Sequence, residues 1–586
     1  MRHTSTIGQY LIERLEQAGL RHVFGIPGDY VLRFYDLLQA SNLEIIGTCT
    51  EAGAGFAADA YARVGGLGAL CVTYCVGGLN ALNAVAGAYA EKSPLVVISG
   101  APGLGERAHS PLLHHKVRDF QTQRQIFEKV TVAAVSLEDA RTAPNQIDDC
   151  LRACMRQKRP VFLEIPRDMV DVRCAAPGAF EFAAPVSDAA VLGECLEEAT
   201  TMLRKARRPV ILAGVEIHRF GLQETLVRLV ERTGYPVAAT ILGKSVITEL
   251  HPQYLGVYEG AMGREDVRRT VEGADCVLIL GAFMTDINLG VYTAHLDIER
   301  TINVNSEQAS IKRHHFDDVV LGDFIEGLIR ADPGGRKSAR AASAAPAAAR
   351  PFLPRPSRPT TVRRFFERLD AFLEDRDVVI ADIGDSLFGA ADLTIRHRTE
   401  FLSPAYYTSM GFAVPAAIGA QIHDRSFRPI VIVGDGAFQM TGSELSTIAR
   451  LDLNPIVFVL NNKGYTTERF IQEGPYNDIH DWAYHLFPQI LRKGLGCEVR
   501  SEGELEEALV RARANTASFS ILNVHFDRMD RSKALERLAK RLAERVARSG
   551  GAHLNGIALA GFDHAQTALK GRRPYALRGT HLPASK

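Results

Sequence analysis

Short apolar runs recur along this chain, each closed by Gly, Pro, Asn, Asp or Thr, and between them apolar positions return every three or four residues. The runs fall into three sets: 22–26, 44–48, 69–73, 94–98 and 160–164; then 209–213, 276–280 and 301–305; then 377–381, 428–434 and 455–461. The first pattern predicts short buried strands and the second predicts amphipathic helices. Strands alternating with helices favour parallel sheets covered on both faces. The expected fold class is α/β, with three doubly wound parallel-sheet domains at 1–175, 188–332 and 360–535. Residues 333–359 are rich in Ala, Pro, Arg and Ser without periodicity and read as a linker. Residues 536–586 read as a C-terminal helix and a tail.

Composition narrows this picture by exclusion. At 586 residues the chain exceeds one core, and a prior of about 150 residues per domain gives three or four. Lys plus Arg equals Asp plus Glu at 68 each, so charge gives no reason to expect nucleic acid or an anionic membrane as partner. Nine cysteines, an odd number with no Cys-x-x-Cys, indicate neither a disulfide framework nor a zinc site. The amino terminus runs into an amphipathic helix and no stretch is long and apolar enough to span a bilayer, so a cytoplasmic protein is expected.

Candidate chemistry concentrates in the third set. Gly434-Asp435-Gly436 closes one strand and Asn461-Asn462 the next, with 24 residues between Gly436 and Asn461 and helical spacing over 442–451. In a βαβ unit this sets Asp435 and Asn462 side by side at the carboxyl edge of the sheet, where open α/β folds bind ligands. Their oxygens suit Mg²⁺, which takes a few protein oxygens and fills its octahedron with phosphates and water. Gly434 and Gly436 let backbone approach those phosphates, and a helix N-terminus offers free N–H groups. A Gly-Asp-Gly alone is commonly only a tight turn; the pair at this spacing is far more specific. Gly243-Lys-Ser245 looks like the end of a P-loop, but Ala238 stands where its first glycine belongs, so no nucleotide site is expected there.

The Gly-Asp-Gly and Asn-Asn pair resembles the signature of thiamine-diphosphate enzymes. Lys463-Gly-Tyr-Thr-Thr-Glu468 and Gly474-Pro-Tyr-Asn-Asp-Ile479 resemble the corresponding stretch of the 2-oxo acid decarboxylases, and the likeness spans roughly residues 3–535. It implies a pyrimidine-binding, a central and a diphosphate-binding domain, thiamine diphosphate with Mg²⁺ as cofactors, and Asp435, Asn462 and Gly464 as metal ligands. Gly434, Asp435, Gly436, Ala437, Asp385, Ser386, Thr408, Met410 and Asn462 would bind the cofactor, Met410 holding it bent. Glu51, in Glu-Ala-Gly-Ala-Gly-Phe-Ala-Ala-Asp-Ala-Tyr-Ala-Arg63, resembles the acid that meets the aminopyrimidine ring, although by itself a Glu there is an ordinary first-turn helix charge. The resemblance further implies a homodimer with shared active sites, and two such dimers in a homotetramer.

His114-His115 separates decarboxylases from neighbouring groups, and the resemblance sets it with Asp29 and Glu468 around the reacting carbon as catalytic residues. Two adjacent histidines are otherwise most often a solvated pair, and Asp29 an ordinary turn residue after Pro-Gly. The implied reaction is non-oxidative decarboxylation of a small-molecule 2-oxo acid to aldehyde and CO₂, through a thiamine diphosphate ylid and enamine. Leu387 stands where pyruvate-selective bacterial members carry Trp, which favours aromatic or branched acids such as phenylpyruvate or indolepyruvate. Thr467 and Ile471 are the other expected pocket residues, with Ile471 as plain core the alternative. No cysteine occupies 215–217, where yeast-type members carry a regulatory thiol. Two competing functions are an acetolactate-synthase-type carboligase or oxidase, and a noncatalytic nucleotide-binding scaffold.

Overall fold

A computed structural model describes residues 4–334, 352–396 and 400–538. The linker expected at 333–359 and the tail expected at 536–586 lie mostly outside these residues. Every strand read from the sequence is present, its ends moved by at most a few residues, and the strands assemble into three large sheets.

The amino-terminal sheet runs Glu44–Gly47, His22–Gly25, Gly68–Val72, Leu95–Ala101, Val161–Pro166, Ala134–Ser136, with every pairing parallel. The carboxy-terminal sheet runs Glu400–Leu402, Asp377–Ala381, Arg428–Gly434, Ile456–Asn461, Ser520–His525, Leu495–Val499, again all parallel. The two share one order: the second strand in sequence lies at the edge, outside the first, and the third crosses to the first strand's other side. That reversal leaves a crevice between the carboxyl ends of the second- and third-position strands. In one sheet the crevice is flanked by Gly28-Asp29 and Thr73-Tyr74, in the other by Asp382 to Ser386 and Gly434 to Gly436.

The central sheet departs from the all-parallel expectation. Tyr254–Val257, Val237–Ala239, Pro209–Ala213, Cys276–Leu280 and Thr301–Val304 are parallel, but Ala309–Ile311 and His314–Phe316 add antiparallel strands at one edge. Both are three residues long, too short for a two-residue period to register. The strand Ser520–His525 was hidden differently, because Ser520, Asn523 and His525 interrupt its apolar run.

Alternation along the carboxy-terminal strands explains how the sheets join. Val431, Val433, Val457 and Val459 lie in one buried apolar cluster with the amino-terminal residues Phe24, Phe56 and Leu70. Ile430, Ile432, Ile456 and Phe458 point the other way, into a cluster with Phe365 and Leu369 that reaches Val215 and Ile241 of the central region. Successive side chains leave opposite faces of a strand, so an uninterrupted Ile/Val run requires a partner on both. Among the described residues no helix is long and apolar enough to cross a membrane.

Candidate active site

The carboxy-terminal crevice is built from three strand ends. Asp435 opens the helix Asp435–Thr441 directly after its strand. The helix expected over 442–451 is therefore corrected: helical structure begins seven residues earlier, breaks into a 3-10 turn at Gly442–Glu444, and resumes at Leu445–Arg450. Asp435 is almost wholly buried, and its carboxylate accepts from the N–H groups of Gly436 (2.8 Å) and Gly464 (3.2 Å). Burial outweighs these bonds and pushes its carboxyl up to about 6. Asn462 Oδ1 is buried without a hydrogen-bond partner.

A buried carboxylate bonded to the turn that carries an orphaned amide oxygen offers hard-oxygen groups that a divalent cation would satisfy. The turn carrying it is clamped by buried Arg469, which donates to the carbonyls of Asn462 (3.1 Å) and Lys463 (2.7 Å) and to Asp478 (2.9 Å). Gly464 sits at φ +146, where a Cβ would stand 2.0 Å from the Asn477 carbonyl oxygen, so only glycine fits. A Cβ at Gly434 would meet nothing within 4 Å. Open space over this backbone is what a diphosphate resting there requires, so the residues present fit that group.

Across the crevice, Asp385 and Ser386 begin the helix Asp385–Ala391. The buried Asp385 carboxyl accepts from Ser532 N–H (2.8 Å) and Ser532 Oγ, and burial pushes it up to about 6. Ser386 and Ala437 are buried, and Met410 packs partly buried against the larger apolar cluster. Thr408 is exposed at φ +57. Its segment is held from the amino-terminal region: Glu91 Oε1 accepts from the N–H groups of Tyr406 and Tyr407 (2.8 Å each), and Asn83 Nδ2 donates to Ser409 Oγ (2.7 Å). Asp382, wholly buried, accepts from Gly411 N–H (3.1 Å) and Ala413 N–H (2.9 Å).

The second group collects at the amino-terminal crevice. His114 Nε2 lies 2.7 Å from Asp29 Oδ2, and one ligating atom each of Asp29, His114 and His115 falls within 4.8 Å of the others. Tyr30 stacks on His114 at 4.7 Å and meets His115 edge-on at 5.9 Å. Lys116 staples the loop by donating to Ser110 O, Ser110 Oγ and Pro111 O. Glu51 is the first residue of the helix Glu51–Gly65 and accepts from Asn80 Nδ2 at 2.6 Å. No described hydrogen bond joins Glu51 to Asp435, Asn462 or the histidines.

Glu468 is exposed on the short helix Thr466–Ile471, and Thr467 Oγ1 lies 3.5 Å from where a Cβ of Gly384 would be, across the crevice. Ile471 is 56% exposed, so the plain-core alternative for it does not hold. Leu387 is wholly buried in the cluster with Phe365, so its size bears first on core packing. Sequence reasoning missed Arg469, Asp382, Glu91 and Ser532, which hold the expected residues in place. Asp382 carried one usable signal, an acid directly after an apolar strand.

Comparison with known proteins agrees with this geometry. Thiamine pyrophosphate enzyme families match in three stretches: the N-terminal TPP binding domain over residues 5–125, the central domain over 196–330 and the C-terminal TPP binding domain over 382–524. The chain is 36% identical over 541 residues to the indole-3-pyruvate decarboxylase of Azospirillum brasilense, covering 91% of this chain and 98% of that protein. It is 33% identical over 550 residues to an alpha-keto-acid decarboxylase of Mycolicibacterium paratuberculosis, covering 91% and 96%. A probable pyruvate decarboxylase of Schizosaccharomyces pombe is 31% identical over 545 residues, covering 91% and 95%. Two like sheets facing their switch points, one lined with buried acids and open glycine backbone and one with a histidine pair, accord with these matches: the chain belongs to the thiamine pyrophosphate enzymes, within their 2-oxo acid decarboxylases.

Proposed function

We propose that this decarboxylase acts on aromatic or branched 2-oxo acids with Mg²⁺ as its metal, as a cytoplasmic homodimer whose active sites are shared, two dimers forming a tetramer. The observation that carries the metal is the orphaned Asn462 Oδ1 on the turn bonded to buried Asp435. Asp435, Asn462 and Gly464 would hold the ion, with Gly434, Gly436, Ala437, Asp385, Ser386 and Thr408 around the diphosphate and Met410 against the body of the cofactor. Bound thiamine diphosphate supplies a carbon nucleophile and an electron sink, which no side chain offers.

The remaining steps fall to this chain's residues. Glu51 holds a proton at a pyrimidine ring nitrogen. The Asp29–His114 pair, 2.7 Å apart, passes a proton between imidazole and carboxylate on the substrate side, with His115 beside it. Glu468, opposite, governs the face on which CO₂ is lost and the protonation that follows. A second copy is supported by Val76 and Met440, apolar and half exposed on the elements that carry Gly77, beside Glu51, and Asp435. The test is direct: supply thiamine diphosphate, Mg²⁺ and a panel of 2-oxo acids, and measure aldehyde and CO₂. Phenylpyruvate or indolepyruvate should exceed pyruvate in kcat/KM; the reverse order removes the substrate assignment.

A further inference from the structure

Glu444 is wholly buried, lies ten positions or fewer from Asp435 on the same run, and yet makes most of its bonds to the amino-terminal region. Its Oε1 accepts from Thr50 N–H (3.0 Å) and Thr50 Oγ (3.2 Å), and its Oε2 from Cys49 N–H (3.1 Å) and Thr447 Oγ (2.8 Å). Two oxygens therefore take four donors, the full capacity of a carboxylate. Around this contact Cys49 Sγ meets the Ser443 carbonyl (3.2 Å) and Arg450 donates to the Gly47 carbonyl.

We infer that Glu444 is a positioning residue for Glu51. Cys49 and Thr50 form the turn from which Glu51 enters its helix, and Thr50 is the N-cap, at φ −138 and ψ 154, accepting from Gly53 N–H at 2.9 Å. A hydroxyl has one proton to give. Because that proton goes to Glu444, the Thr50 lone pairs stay turned toward Gly53 and the cap is fixed. The part-buried N–H groups of Cys49 and Thr50 thus share one acceptor group, and both lose it when this carboxylate is changed. The close approach also accounts for Gly53: a Cβ there would stand 2.0 Å from Glu444 Oε1. The break at Gly442–Glu444 is what swings this carboxylate out of the Asp435 helix and into the turn.

The Asp435 cradle and the Glu51 turn of one chain are thus bound into one piece. On the reading that Glu51 serves the partner's cofactor, which this inference rests on, the two ends of that piece belong to two active sites.

Glu444→Gln keeps the shape but turns an N–H donor toward donors. In the chain without cofactor, hydrogen–deuterium exchange of the 49–53 amides should rise about tenfold while the 456–461 strand stays protected. With thiamine diphosphate and Mg²⁺, kcat should fall about tenfold with KM and cofactor affinity within about threefold. Added to Glu51→Gln, Glu444→Gln should cost less than about twofold more, since a residue acting through Glu51 loses its effect when Glu51 is gone. Should Glu444→Gln not fold, Glu444→Asp, which keeps the charge on a shorter arm, should show the same local exchange increase in smaller degree. Unchanged exchange at 49–53, or losses that multiply in the double variant, would overturn the inference. A wild-type protein that decarboxylates nothing on the panel would sink the proposed function and leave the exchange result standing.

Discussion

The amino- and carboxy-terminal sheets have the same strand order and both open a crevice at the same topological point, yet they are equipped in opposite ways. At the carboxy-terminal crevice the acids are buried and fixed: Asp382, Asp385 and Asp435 are each pushed up to about 6 by burial, and Arg469 and Ser532 lock the loops that carry them. At the amino-terminal crevice the acid and its imidazole partner stand in the open, with Asp29 43% and His114 57% exposed at the side chain. One frame thus serves two tasks. Gripping a multiply charged ligand needs rigid, dehydrated oxygens, whereas proton transfer needs groups that reach a reacting atom and change charge there.

If that division is right, the two crevices fail differently when one acid of each is neutralised. Asp435→Asn should lose Mg²⁺-dependent uptake of thiamine diphosphate by about a thousandfold, as breaking a buried charge pair costs about 3–5 kcal/mol. Glu51→Gln should keep that uptake within about threefold and lose turnover by roughly a hundredfold or more. Calorimetry of the cofactor and aldehyde release measured side by side decide this, and equal loss of uptake in both would dissolve the comparison. Next in size is Arg469→Met. It touches no cofactor group but frees the Asn462 turn, and should weaken metal-dependent uptake about tenfold to a hundredfold, as supporting residues of metal sites do.

The smallest effect is a pH dependence. Asp385 holds its proton to about 6 in the folded chain and to about 3.8 unfolded, so between those values the folded state binds more protons and stability falls as pH rises. Its contribution is complete below about pH 4 and lost as pH passes 6. Denaturant unfolding without cofactor should show wild type losing about 1–3 kcal/mol relative to Asp385→Asn between pH 4 and 7. A flat difference would mean that Ser532 compensates the burial fully.

Local pattern carried much of this. Strands such as Arg428–Gly434 and Cys276–Leu280 are continuous apolar runs whose burial on both faces leaves them no other reading. The Asp435–Asn462 pair was likewise legible, because fixed spacing across one βαβ unit places both at one sheet edge. The pairing of Asp29 with His114 came from resemblance alone, since 85 residues and an irregular loop separate them.

What sequence determined by itself were the features that local pattern carries: the long apolar strands, the α/β class and the strand-end acid and amide. What only the tertiary structure decided were the polar contacts that hold these groups in place. Ser532 holding Asp385 and Glu444 entering the turn before Glu51 depend on where the chain returns after many residues, and Arg469 holding Asn462, seven positions away, depends on how an irregular turn folds back on itself. The helix break at Gly442–Glu444 belongs with them, since a 3.6-residue period runs through a site whose geometry is set by a distant Thr50 and Cys49. Hydrophobic periodicity reports which face of an element is covered; it carries no information on which polar group waits on the other side.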